Sequence, residues 1–160
     1  MFCIVVNKRF ASVKTRITVI VLSAFFALAA VKYREDTPTA INFYKGSYKS
    51  ALAEAKKQNK LIFIDAYTSW CGPCKMLRQN TFTDKEVGEY FNEHFINLSI
   101  DAEKGEGVEL ANKYKVHHYP TLIITDNNGE RITFTVGYIQ PDDLLGFGRF
   151  GVSKTPSPKD

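Results

Sequence analysis

Apolar positions are distributed along this chain in two different ways. Residues 17–31 (ITVIVLSAFFALAAV) carry no charge and are mostly apolar, and Lys32 ends the run. Beyond it the apolar residues come in short periodic groups. Tyr48, Ala51, Leu52 and Ala55 recur at helical spacing, which predicts a helix from Ser47 to Gln58 with Ser47 as its N-cap. Leu61 to Ala66 (LIFIDA) is an almost continuous apolar run, the pattern of a central strand covered on both faces. A helix is predicted to start at the Cys71/Cys74 pair and run through Lys75 to Gln79. Thr83-Asp84-Lys85-Glu86 has the spacing of a capping box and opens a helix to about Glu93. Phe95 to Ile100 is the next strand, and Val108 to Tyr114 the next helix. Thr121 to Thr125 and Arg131 to Val136 form an antiparallel pair around the turn Asn127-Asn128-Gly129. Pro141 fits the first position of a last helix, with Asp142 and Asp143 in its first turn. The order α-β-α-α-β-α-β-β-α predicts an α/β fold with a mixed sheet covered by helices on both faces.

At 160 residues the chain is expected to hold one folded domain. Its boundaries are read as a leader over 1–31, a linker over 32–40, the domain over 41–150 and a disordered tail over 151–160. The leader is a signal peptide or an N-terminal membrane anchor. Lys8, Arg9, Lys14 and Arg16 precede its apolar run, and Ala27-Leu28-Ala29 offers the small residues that a signal peptidase reads. The run of 15 residues spans only about 22 Å as a helix, short of a ~30 Å hydrocarbon core, which favours the cleaved form. Either form places the domain outside the cytoplasm, in the periplasm or its equivalent, soluble after cleavage or anchored by residues 17–31. Charge agrees with this division. The net charge is +4, and once the four basic residues of the leader are set aside the remaining 17 basic and 17 acidic residues cancel. No basic stripe is left for nucleic acid.

Of the three cysteines, Cys3 precedes the apolar run and is read as incidental. Cys71 and Cys74 form a Cys-x-x-Cys pair between a predicted strand and a predicted helix. At a helix N-terminus, unpaired N–H groups and the helix dipole favour a thiolate over a thiol. A two-residue spacer keeps the second sulfur within one helical turn, close enough to close a disulfide. Cys71 is then the nucleophile that forms a mixed disulfide with a substrate, and Cys74 the thiol that resolves it. Pro73 suits the first turn, where its missing N–H would have had no partner. A competing reading of the same spacing is half of a four-ligand zinc site, for which His117 and His118, with His94 elsewhere, are the candidates to complete a Zn or Cu set. Haem attachment wants a histidine where Lys75 stands. A structural staple closing four residues restrains the unfolded chain little. The leading reading is a redox centre with no cofactor or metal beyond its own disulfide.

Trp70-Cys71-Gly72-Pro73-Cys74-Lys75 resembles the active-site motif of the thioredoxin family, and further positions fall in step over about 100 residues. Asp65 matches the family's buried aspartate, Tyr119-Pro120-Thr121 its cis-proline segment, Asn128-Gly129-Glu130 its hairpin turn, and Gly137 the glycine beside its active site. The stretches flanking the motif are most similar to exported bacterial thioredoxin-like proteins, akin to the C-terminal domain of transmembrane thiol:disulfide interchange proteins. The resemblance implies the thioredoxin fold. It implies an Asp65 with a raised pKa that takes the proton of Cys74, and a cis peptide before Pro120. It implies that Trp70, Gly72, Pro73, Tyr119, Pro120 and Gly137 line the place where a substrate peptide lies, with Trp70 partly exposed over the sulfurs. The activity implied is reduction of disulfides in exported proteins by a monomer, with a membrane or periplasmic thiol donor. Its alternatives are oxidation or isomerisation at the same site, or a metal- or peptide-binding module. His117 and His118 are read as loop residues. Three departures are visible. Asn97 stands where thioredoxins have a lysine near the aspartate, which is expected to leave the Asp65 anion less stabilised. The stretch Glu103 to Val116 is longer. Tyr119 replaces an aliphatic residue, so substrate choice is not inherited.

Overall fold

The computed structural model describes residues 40–154. The leader (1–31), the linker up to residue 39 and residues 155–160 lie outside the described residues. A four-stranded mixed sheet has the order β2-β1-β3-β4. Its strands are β1 (Leu61–Tyr67), β2 (Phe95–Asp101), β3 (Thr121–Thr125) and β4 (Arg131–Val136). β1 runs parallel to β2 and antiparallel to β3, and β3 pairs antiparallel with β4. The helices are α1 (Tyr48–Gln58), α2 (Gly72–Met76), α3 (Lys85–His94), α4 (Glu106–Tyr114) and α5 (Pro141–Ser153). This is the predicted α/β order and the thioredoxin fold.

The apolar run of β1 forms a strand that is buried from Leu61 to Ala66 because both of its faces are covered. Alternation along the strand divides its side chains between two cores. Leu61 and Phe63 pack with Leu77, Phe82, Val87, Phe91 and Leu144. Ile62, Ile64 and Ala66 pack with Ala51, Ala55, Leu110 and Tyr114. Phe63 meets Phe91 and Phe82 edge-on, with ring centroids 4.8 and 6.1 Å apart. By the same alternation Asp65 falls on the Phe63 face, the side of the active-site helix. The outer edge of β2 is covered in part by a bridge from Phe43 to Asn97, with the Tyr44 N–H donating to the Asn97 carbonyl at 2.7 Å.

Local chemistry explains where the elements begin and end. Ser47 caps α1 as predicted, its Oγ accepting from the Ser50 N–H at 3.2 Å. The cap of α3 is Asp84, not Thr83: Asp84 Oδ1 accepts from Glu86 and Val87 N–H at 2.9 and 3.1 Å. Thr83 instead turns its hydroxyl back to the Gln79 carbonyl at 2.8 Å. That carbonyl belongs to a π-helical turn, Leu77–Thr81, which follows α2 where an unbroken α-helix was expected. The hairpin turn stands as read, with Gly129 at φ +83° and the Asp126 carboxylate accepting from Asn128 and Glu130 N–H, both at 2.8 Å. The last helix passes the boundary expected at 150, and Gly151 is buried against Ile124, where a Cβ would come within 2.6 Å of its Cδ1.

Candidate active site

β1 delivers the chain to a short turn in which the Cys71 N–H donates to the Thr68 carbonyl at 3.2 Å, and α2 begins at once. Cys71 is the N-cap of α2, with extended backbone angles (φ −71°, ψ 110°). Its Sγ accepts from the Cys74 N–H at 3.1 Å, so the sulfur occupies the place of a capping oxygen. The two sulfurs are bonded to each other, with Cα atoms 5.3 Å apart. Both cysteines are almost fully buried, whereas Gly72 and Pro73 between them are exposed. Pro73 lies in the first turn, as its missing donor allows.

Trp70 is 66 % exposed and is held from two sides. Its Nε1–H donates to both carboxylate oxygens of Glu103 at 3.1 Å, and its ring stands edge-on to Tyr119 with centroids 6.0 Å apart. Glu103 lies in the stretch that is longer than in thioredoxins, and nothing in its own sequence context marked it. The Tyr119–Pro120 bond is cis. The segment is pinned by the Thr121 hydroxyl, which donates to the His118 carbonyl at 2.6 Å, and by the Gly137 N–H, which donates to the Pro120 carbonyl at 2.8 Å. Gly137 has φ +94°, a region that disfavours any side chain. Trp70, Tyr119, Pro120 and Gly137 are thus brought into one connected arrangement.

Asp65 is 1 % exposed near the end of β1. Burial pushes its pKa up from the usual 3.8 to about 6, against the pull of the Ser99 hydrogen bond and of the Arg78 charge. Ser99, its register partner on β2, donates from Oγ to Asp65 Oδ2 at 2.9 Å. Arg78, from the π turn, places Nη2 3.8 Å from the same oxygen. Asp65 Oδ1 makes no hydrogen bond among the described residues. Asn97 brings no charge to Asp65, as its residue type predicts, but the carboxylate is not without a cation. Asn97 sits in register with Phe63, and its amide donates to Asn92 Oδ1 and to the Phe91 and Asn42 carbonyls at 3.2–3.4 Å. The cation beside Asp65 comes from Arg78. Neither Arg78 nor Ser99 was found from sequence, because an arginine on a helix face reads as an ordinary solvated charge.

Among the described residues no group of three or more His, Cys, Asp and Glu side chains converges to hold a metal. His117 and His118 are exposed loop residues, and His94 lies against Tyr90, with ring centroids 4.3 Å apart. Among the described residues no helix is long and apolar enough to cross a membrane.

Known proteins resemble this chain in sequence and fold. Residues 48–151 match the Thioredoxin-like domain family. The thiol:disulfide interchange protein DsbD of Campylobacter jejuni is 29 % identical over 103 residues, which is 64 % of this chain and 18 % of DsbD. This chain therefore spans under a fifth of that relative. The solution structure of a candidate disulphide-isomerase from Bacteroides thetaiotaomicron is 45 % identical, with a TM-score of 0.65, covering 74 % of this chain and 98 % of that one. The C-terminal domain of DsbD from Neisseria meningitidis, in its reduced form, is 25 % identical with a TM-score of 0.54, covering 63 % of this chain and 90 % of that one. The family match takes in well over half of the residues, and the chain belongs to the thioredoxin-like domain family, with a thiol–disulfide oxidoreductase centre at Cys71 and Cys74.

Proposed function

We propose that the protein reduces disulfides of exported proteins and is returned to its dithiol form by a membrane or periplasmic thiol donor. The observation that carries this reading is the position of Cys71 Sγ at the cap of α2, where it accepts the Cys74 N–H. In the reduced protein the same donor and the helix end stabilise a thiolate. That thiolate attacks one sulfur of a substrate disulfide, and the other substrate sulfur leaves with the bonding electron pair. Cys74 then gives its thiol proton to the Asp65 carboxylate, through a water, and attacks Cys71 Sγ. The Cys71–Cys74 bond forms, the bond to the substrate breaks, and the second substrate sulfur leaves as a thiolate. The substrate gains two electrons and the protein loses two, which the donor restores.

Trp70, Gly72, Pro73, Tyr119, Pro120 and Gly137 form the docking surface in this reading. The backbone of Tyr119 is offered to an extended peptide, as in other strand-addition complexes. The likeness to DsbD, a thiol:disulfide interchange protein, supports exchange at this site, the Gly72-Pro73 spacer favours the reducing direction, and the leader over residues 1–31 favours an extracytoplasmic site. A second reading, isomerisation at the same cysteines, is favoured by the Bacteroides relative and its description. The test is turnover of a disulfide-bonded protein with a dithiol donor. The wild type is expected to accelerate reduction and Cys71→Ser to give none above the donor alone. Equal rates with and without Cys71 would end the enzymatic reading.

A further inference from the structure

Asp65, Ser99 and Arg78 come from β1, β2 and the π turn, and together they lead from the closed interior to open solvent. Ser99 Oγ donates to Asp65 Oδ2 at 2.9 Å and accepts from Arg78 Nη2 at 3.2 Å. The Arg78 side chain is 40 % exposed while that of Asp65 is 1 % exposed. The outer end of this chain of groups opens on a groove of about 480 Å³ lined by Ile41, Tyr67, Arg78, Phe82, Thr83 and Ser99. The guanidinium is held there over the Tyr67 ring, 3.6 Å from its centroid.

We propose that Arg78 and Ser99 are positioning residues for the exchange reaction, holding Asp65 as a carboxylate, ready to accept the Cys74 proton, from the groove side. The inference rests on the reading of Asp65 as the base for Cys74. Arg78 keeps its own proton throughout and contributes charge and the orientation of the Ser99 hydroxyl. The other groups around the guanidinium do not replace it. Asp101, at the end of β2, also feels Arg78, but the Glu103 N–H and Lys104, whose Nζ is 3.1 Å away, do more to hold it ionised. On the β3 side the register partner of Asp65 is the apolar Leu122, and Tyr67 presents only its ring. Cys71 and Cys74 are bonded to each other and carry no charge in this state. A merely structural ion pair at this exposure would contribute little to stability and nothing to the pH dependence of catalysis.

The experiment uses the full chain. The Asp65 carboxyl is titrated by ¹³C NMR in the wild type, Arg78→Gln, Arg78→Lys and Ser99→Ala. In parallel, the rate at which Cys74 releases substrate from the mixed disulfide is measured against pH. Arg78 is exposed enough for its substitutions to leave the fold intact. The wild-type carboxyl is expected to titrate near the value of about 6 that burial imposes. In Arg78→Gln and Ser99→Ala the midpoint is expected to rise by about one pH unit, the lower end of the effect of a nearby charge. Arg78→Lys is expected to return the midpoint most of the way to the wild-type value. A rise of about one unit lowers the carboxylate fraction at pH 6 about fivefold, so release should slow about fivefold there and be unchanged at pH 9. A midpoint that stays in place in Arg78→Gln overturns the inference, whatever the rate does. A midpoint that moves while the release profile does not supports control of Asp65 by Arg78 and Ser99, and overturns instead the role of Asp65 as the base.

Discussion

Trp70 Nε1 donates to both carboxylate oxygens of Glu103 at 3.1 Å, so the exposed ring beside the cysteines is fixed by a residue 33 positions further along the chain. Trp70 is the single tryptophan of the protein, so its fluorescence is not mixed with that of any other indole. Glu103→Ala is expected to free the ring and increase its quenching by a soluble quencher. With the ring no longer held against Tyr119, KM for a protein disulfide should rise a few fold while kcat stays close to the wild-type value. Unchanged quenching and unchanged KM would show that Tyr119 alone holds the ring.

Asp65 sets a second expectation, on stability. Its carboxyl binds a proton more tightly in the folded protein, at about 6, than at the ordinary 3.8 of the unfolded chain. Between those values the native state binds more protons than the unfolded state, so stability falls as pH rises through this window. The loss is complete above about pH 6 and amounts to about 3 kcal/mol, at ~1.4 kcal/mol for each pH unit that separates the two values. Asp65→Asn is expected to be more stable than the wild type at pH 7 by up to that amount, and nearly equal to it at pH 3.5. Its release of substrate from the mixed disulfide should be slower, because the buried charge that weakens the fold is the group proposed to do the chemistry. Denaturant unfolding of both proteins at the two pH values measures the difference.

What the sequence made legible was local. The buried strand Leu61–Ala66, the Cys71/Cys74 pair at the start of a helix and the Asn128-Gly129 turn each depend on residues adjacent in the chain, and the structure has them where the pattern put them. The site residues that sequence reasoning missed are those that reach the centre from elsewhere. Ser99 meets Asp65 only through the parallel register of β1 and β2, Arg78 only because the π turn rotates it over Tyr67, and Glu103 only because the loop after β2 passes Trp70. The Asn97 comparison marked the missing lysine but not the cation that reaches Asp65 by another route. Equivalence along the strand did not determine which partner the side chain would turn to, and a short amide beside Asn92 and the Phe91 carbonyl bonds to them. At Thr83-Asp84 both residues are good caps, and the choice was decided by the preceding turn, whose Gln79 carbonyl takes the threonine hydroxyl.

The roles of the two sulfurs can be separated. Cys74→Ser removes the resolving thiol and should accumulate mixed disulfides through Cys71, while Cys71→Ser should accumulate few. Non-reducing gels of cell extracts, with and without a reductant, give the yields. A higher yield from Cys71→Ser would reverse the assignment.

The leader has its own test. Residues 1–40, fused to a reporter that is active only outside the cytoplasm, are expected to give an active reporter. The expectation follows from the four basic residues ahead of an uncharged run of 15. Processing of the fusion, read from its mass, separates a cleaved signal peptide from an anchor. An active reporter in the cytoplasmic format alone would place the domain inside.

The direction of electron flow follows from the first turn of α2. A reductant needs a disulfide that is stable relative to its thiolate, whereas strong stabilisation of the thiolate makes an oxidant. Cys71 Sγ accepts one backbone donor, the Cys74 N–H, and Pro73 removes another that the same turn would have supplied. No histidine stands between the cysteines to add a charge, and Lys75 is exposed on a long solvated side chain. The thiolate is therefore stabilised only moderately, and the Cys71 thiol of the reduced protein is expected to titrate below the ordinary thiol value but well above that of a strong oxidant. The potential of the couple should lie nearer to about −270 mV, the value for thioredoxin, than to about −120 mV, the value for a strong periplasmic oxidant. Equilibration of the full chain with glutathione or dithiothreitol buffers, read by tryptophan fluorescence, measures it. Replacing Pro73 by histidine should raise the potential, because it returns a backbone donor and adds a nearby cation. A wild-type potential above about −180 mV, the value for protein disulfide isomerase, would transfer the assignment from reduction to isomerisation or oxidation, with the same cysteines in the same order of attack.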